Sequence, residues 1–190
     1  MNRQQFLTTC GAGLCACVGL PAATSIASTL APPSPPADWR LPWAQRRYAR
    51  LLEILAAQTN DETVAAVLNQ VGRFCASQMK LLGQHAGDVD GFIREFSQRY
   101  HEEITFDRDR NVITVVSAER TDCTCPLICR QTPGSACACS LGWQKHVYET
   151  LLGREVRVEL KESVLRGGRR CVFAIQVLGP VKGEGARSGS

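Results

Sequence analysis

The sequence predicts an α+β domain, with N-terminal helices packed on an antiparallel sheet and a cysteine-rich loop between its elements. Three observations carry that prediction. Residues 39–100 hold three stretches whose apolar residues recur at helical spacing. From residue 103 onward the spacing changes to short β-rich runs separated by turn residues. Between those runs Cys123, Cys125, Cys129, Cys137 and Cys139 fall within seventeen positions, and Cys171 follows after a further helix and strand.

Size and composition bound the answer. The chain has 190 residues and 44% hydrophobic content, enough for one domain with an ordinary core. Its net charge of +4 is mild, with Lys and Arg spread along the chain, and this speaks against nucleic acid as a main partner. Aromatic residues are 6% of the chain, too few for a base-stacking platform.

Residues 1–27 read as an export signal. Arg3 precedes Phe6-Leu7 and a weakly apolar run, and Ser25-Ile26-Ala27 supplies small residues for cleavage. Asn2-Arg3-Gln4-Gln5-Phe6-Leu7 resembles a twin-arginine signal with Gln4 in place of the second arginine, so the ordinary secretory route stays open. The run is too short and too interrupted for a membrane span. Leu14-Cys15-Ala16-Cys17 offers a lipid-attachment alternative, and with it a membrane tether. Either route leads to the periplasm or another exported location. Residues 28–38 carry four prolines and form an extended tether.

The domain then spans residues 39–180. Its first helix covers 39–57, with Trp43, Arg47, Leu51 and Ile54-Leu55 marking one side and Arg46, Arg47 and Arg50 on a solvated face. Asn60 or Asp61 caps a second helix, whose stripe is Val64, Val67, Leu68, Val71, Phe74 and Cys75; Cys75 reads as a packed core thiol. Asp88 or Asp90 starts a third, with Phe92, Ile93, Phe96 and Tyr100. Runs at 103–106 and 112–116 flank Asp107-Arg108-Asp109-Arg110-Asn111 and predict a hairpin. After the cysteine loop a fourth helix runs from Ser140 to about Leu152 and ends at Gly153. Val156, Val158 and Leu160 then alternate with Glu155, Arg157, Glu159 and Lys161, as in a half-buried strand. Gly167-Gly168 suits a tight turn, residues 170–178 form the returning strand, and the Gly- and Ser-rich tail at 181–190 reads as disordered.

Ten cysteines, three of them in the signal, leave seven, and an odd number leaves one thiol outside any complete set of disulfides. In an exported compartment disulfides are the default use of clustered cysteines. A Cys-x-Cys pair makes a strained disulfide, whereas two thiolates one residue apart can point at one ion. The candidate metal ligands are therefore Cys123, Cys125, Cys129, Cys137, Cys139 and Cys171. Soft thiolates favour zinc first, with an iron–sulfur cluster or copper as alternatives. His146 lies one helical turn past Leu141-Gly142 and reads as a solvent-facing helix histidine, with a ligand role in the same site as the alternative; His85 and His101 read as surface residues near helix ends. Glu159 faces outward by alternation, and Glu162 is the carboxylate expected to turn toward the cysteine loop. No Ser-His-Asp or paired-carboxylate set assembles from these spacings.

A resemblance sharpens the reading over residues 135–178. Cys137-x-Cys139-Ser140-Leu141-Gly142-Trp143, Leu152-Gly153-Arg154-Glu155-Val156, Glu162-Ser163 and Gly167-x-x-x-Cys171-x-Phe173 resemble the 4-vinyl reductase domain. That resemblance implies a small-molecule-binding module with a zinc held by cysteines and a carboxylate beside an apolar pocket. By position Cys137 falls on the first zinc cysteine and Cys171 on the last, while Ser163 takes the place of the middle one. The same segment looks like the L-2-amino-thiazoline-4-carboxylic acid hydrolase family. This implies an alternative, hydrolysis of a small cyclic amide or thiazoline by a cysteine thiolate or metal-activated water. The expected function is thus an exported domain binding a small apolar or heterocyclic molecule next to a cysteine-held metal. A disulfide-stapled exported domain is the remaining alternative.

Overall fold

The computed structural model describes residues 38–179. The expected signal, the tail and all of the tether but Asp38 lie outside the described residues.

The helices begin and end where local chemistry directs them. Helix α1 covers Arg40–Gln58 and α2 covers Asp61–Ser77. Asn60 caps α2, its side-chain carbonyl accepting from the Thr63 amide at 2.8 Å. A five-residue helix α3, Lys80–Gln84, was not expected, because so short a segment shows no periodicity. Asp88 caps α4, Val89–Tyr100, by accepting from the Gly91 amide at 2.9 Å. Helix α5 spans Cys137–Leu152 and stops at left-handed Gly153, φ 62°. No helix among the described residues is long and apolar enough to cross a membrane.

The sheet is four-stranded and antiparallel throughout, in the order β1-β2-β4-β3, with β1 Glu103–Asp107, β2 Val112–Val116, β3 Val156–Glu162 and β4 Val172–Val177. Register lines up one continuous apolar face. Ile104, Val115, Phe173 and Leu160 form one row across the four strands, and Phe106, Ile113, Ile175 and Val158 the next. Between Leu160 and Glu162 the ladder slips by one residue, so β3 leaves the sheet at this end through a bulge.

Two apolar cores result. The larger joins the sheet face to α5 through Val147, Tyr148 and Leu151, and to α4 through Phe92 and Phe96. The smaller joins Leu52 of α1, Val64 and Leu68 of α2, and Ala136 and Ala138 at the start of α5. Helices α2 and α5 bind the two cores together. They cross with backbones in contact: a Cβ on Gly72 would lie 1.9 Å from the Cys139 carbonyl oxygen, and one on Gly142 would lie 2.1 Å from that of Asn69.

The helix faces differ from expectation in α1 and α2. Trp43, Leu51 and Ile54 are exposed, and α1 buries Ala49 and Leu52 with Tyr48 and Leu55 half-buried beside them. Two stripes at helical spacing compete on this helix, and the one with small Ala49 fits against α2. On α2 the buried line is Val64, Leu68, Gly72 and Ala76, leaving Val67, Val71, Phe74 and Cys75 exposed. Close approach selects the face with glycine and alanine over the face with the larger side chains. Arg46, Arg47 and Arg50 are solvated as expected, with Arg47 stacked over Trp43 at 4.5 Å.

Substituting Gly72→Ala forces the crossing apart and lowers stability in urea denaturation by about 3 kcal/mol or more, the upper end of overpacking costs. Gly83→Ala, on α3 with nothing within 4 Å of its Cβ, is the control and leaves stability unchanged or slightly raised.

Candidate functional site

Three elements of the sheet end together at one side of the domain. The chain leaves β2 at Ser117, leaves β3 at Ser163 and enters β4 from Cys171. Ser117 ties two of them, its amide donating to the Cys171 carbonyl at 2.9 Å and its hydroxyl accepting from the Cys171 amide at 2.9 Å. The 3-10 turn Val164–Arg166 then closes on left-handed Gly167, φ 89°. Glu162 holds this turn from inside, accepting from the amides of Arg169 at 2.9 Å and Arg170 at 3.3 Å. The carboxylate expected to face the cysteine loop is thus spent on the 163–170 turn. A Gly168 Cβ would collide with its Cγ at 2.6 Å.

The cysteine loop is pinned at three points. Gln45 of α1 donates to the Pro126 carbonyl at 2.8 Å. Ile128 tucks against the smaller core, its amide donating to the Cys125 carbonyl. Buried Thr132 accepts from the Cys129 amide at 3.0 Å, with the Cys129 sulfur 3.6 Å from the same hydroxyl. A 3-10 turn, Gly134–Ala136, leads directly into α5. The helix therefore begins three residues earlier than Ser140, and Cys137 and Cys139 stand on its first turn.

That early start separates the second Cys-x-Cys pair. Residues two apart on a helix diverge by about 200° and do not face one another. Cys137 is buried and its sulfur lies 3.1 Å from the hydroxyl of buried Ser163. Cys139 packs on the other side, against the smaller core. Between them opens a pocket at the seam of the two cores. Cys123, Cys125, Cys137, Cys139 and Cys171 line it, with Ser140 and Ser163 as polar members, Leu160 and Phe173 from the sheet, and Tyr48 from α1. The space open to the centre of a water-sized sphere is about 50 Å³. At roughly 10–15 Å³ per water this admits an ion with its waters, or a ligand of a few heavy atoms.

Five of the six predicted cysteines thus line one pocket; Cys129 does not. The positions that the resemblance maps onto a zinc triad, Cys137, Ser163 and Cys171, all face this pocket. All seven described cysteines are free thiols, and among the described residues no group of three or more His, Cys, Asp or Glu side chains is placed to hold an ion. His146 does not line the pocket, nor do His85 and His101. His85 is not a free surface group: its ring lies 3.0 Å from Glu95 and 3.6 Å from Asp88. Glu159 is exposed as expected and pairs with Lys161.

One lining residue escaped the sequence pattern: Tyr48, on the α1 stripe that packs. Cys75, read as a core thiol, is exposed, and its ionisation, like that of Cys125, opposes that of Cys139 and Tyr48. Burial, reinforced by those neighbouring thiols, pushes the Cys139 thiol up to about 11 and the Tyr48 hydroxyl up to about 12. Burial likewise raises Cys125 and Cys171. Without a bound cation these four side chains keep their protons at neutral pH.

No family model and no curated protein matches the chain. Among solved structures it is similar to a trafficking protein particle complex subunit 3 from Naegleria fowleri covalently bound to palmitic acid. The identity is 16% and the TM-score 0.43, over 75% of this chain and 98% of that one. It is also similar to a vinyl-4-reductase family protein from Methanocaldococcus jannaschii, at 10% identity and a TM-score of 0.38, over 73% of this chain and 82% of that one.

The raised thiol and phenol make stability fall as pH rises into the alkaline range. In the unfolded chain Cys139 ionises near its ordinary 9.0 and Tyr48 near 10.0, while the folded chain resists until about 11 and about 12. Their contribution is complete below pH 9 and is lost as pH rises through the folded values. Urea midpoints measured across pH 8–12 fall over this window, and Cys139→Ser flattens the lower part of the fall.

Proposed function

We propose that this domain binds a small apolar or heterocyclic molecule in the thiol-walled pocket, beside a soft metal ion held by cysteines of the same wall. The observation that carries the reading is the convergence of Cys123, Cys125, Cys137, Cys139 and Cys171 on one small cavity with an apolar floor of Leu160 and Phe173. The donor chemistry fits zinc first, then cuprous copper or an iron–sulfur cluster. Cys137 and Cys171 are the first ligands of choice, with Cys139, Cys123 and Cys125 completing the set. These thiols line one cavity, but among the described residues no three are close enough together to hold an ion, so the ion itself draws the set together, as metal sites coupled to local ordering do. When bound, zinc supplies positive charge that holds the thiols ionised. The chain's own residues shape the apolar side of the pocket and set the phenol of Tyr48 at its rim. The domain is read as acting after export, beyond the signal at residues 1–27.

Hydrolysis by a thiolate nucleophile asks for a lowered thiol pKa, and burial moves Cys125, Cys139 and Cys171 the other way. Binding is therefore preferred over hydrolysis by a thiolate.

Metal quantification on untagged protein purified without oxygen, with a parallel thiol count, tests it. The expected result is about one zinc per chain, with Cys137 and Cys171 protected from alkylation until a chelator is added. Absence of metal, with no protection on adding zinc, would sink the reading. Because the thiols must shed protons to bind, zinc affinity measured by chelator competition rises with pH between 6 and 9. Ser163→Cys, which sets a third thiol against Cys137, raises that affinity by about tenfold or more.

A further inference from the structure

We propose that Cys75 and Cys139 form a closable dithiol across the α2–α5 crossing, which a low-molecular-weight disulfide oxidises and which withdraws Cys139 from the pocket wall. The crossing supplies the geometry. A Cβ on Gly72 would overlap the Cys139 carbonyl oxygen, so the two helices approach backbone to backbone at the level of Cys139. Cys75 lies three residues on from Gly72, on the neighbouring strip of α2. Helical side chains lean toward the N-terminus, so the Cys75 sulfur is carried back over the turn that contains Gly72. Cys75 is exposed to reagents in solvent, while Cys139 is half-buried and lines the pocket. Tyr48 of α1 lines the pocket beside Cys139.

Three of the other thiols have different neighbours. The Cys137 sulfur contacts Ser163, the Cys129 sulfur lies against Thr132, and Cys171 is fixed beside Ser117 at the sheet end. Cys125, also exposed, belongs to the loop that Gln45 holds at Pro126.

The chemistry is thiol–disulfide exchange. The Cys75 thiolate attacks one sulfur of the reagent, and one reagent thiol leaves. The Cys139 thiolate then attacks the Cys75 sulfur of that mixed disulfide, and the second reagent thiol leaves. Two protein thiols are oxidised, one reagent disulfide is reduced to two thiols, and no other reactant is needed. The bridge stands on the crossing alone; its consequence for the pocket rests on the metal-binding reading above.

The test uses the full chain, reduced and metal-free, treated with limiting dithiodipyridine and then alkylated and mapped without reduction. The expected result is release of both reagent halves as free thiopyridone and one peptide pair joined through Cys75 and Cys139. Cys75→Ser abolishes that pair and leaves Cys139 open to alkylation. A Cys75 that stays as a mixed disulfide, or that joins Cys125 or a second chain, overturns the proposal. Zinc uptake by the reduced and the bridged protein is measured alongside. Failure of the reduced protein to take zinc counts against the metal reading and leaves the bridge to be judged by the peptide map. Full zinc uptake by the bridged form overturns the withdrawal of Cys139 from the wall.

Discussion

The backbone contact between α2 and α5 is the constraint from which the rest of the domain follows. Gly72 and Gly142 remove the side chains that would otherwise hold the two helices apart. Their approach lets Leu68 and Ala138 close the smaller core while Ala76 and Val147 belong to the larger one. A helix pair at ordinary separation would leave the two cores unjoined. Burial of this kind contributes about 25 cal/mol per Å² of apolar area, so a contact shared by two cores weighs heavily in a marginally stable domain.

The pocket is a by-product of that arrangement. Leu160 and Phe173 belong to the sheet core, whereas Tyr48, Ala136, Ile128 and Leu165 belong to the helical one. Where two packed bodies meet beyond the end of the sheet, side chains cannot interdigitate completely. The chain fills the gap with loops rather than with a further element. Ser117, Glu162, Thr132 and Gln45 each use hydrogen bonds to hold one of those loops in place. The thiols then face a cavity whose shape is fixed by other residues.

Protonation gives the site its chemical character. Thiols removed from water and set beside other thiols hold their protons, since each new charge would be both desolvated and repelled. A cation reverses both terms at once. The same thiols are therefore neutral at ordinary pH when the pocket is empty, and react slowly with electrophiles.

Much of this was legible in the chain. Periodicity set the helices and strands, Asn60, Asp88 and Gly153 marked their ends, and the alternation from Val156 to Leu160 gave the inward face of β3 correctly. These signals are local, because capping and strand alternation depend on residues a few positions apart. The bunching of cysteines also pointed to a shared site, and five of the six line one pocket. What the sequence could not decide was orientation. The stripe read on α1 and the outer part of that read on α2 stayed exposed, and only the close crossing chose the faces with Ala49, Gly72 and Ala76. That choice turned Cys75 outward, brought Tyr48 inward and exposed Trp43, Leu51 and Phe74. An early start to α5, for which Cys137-Ala138-Cys139 gives no periodic signal, sent the two thiols of that pair to different sides. Glu162 became part of a turn because a bulge and Gly168 brought two amides to it. Each of these outcomes depends on packing between residues distant in sequence, which is why tertiary structure alone settled them.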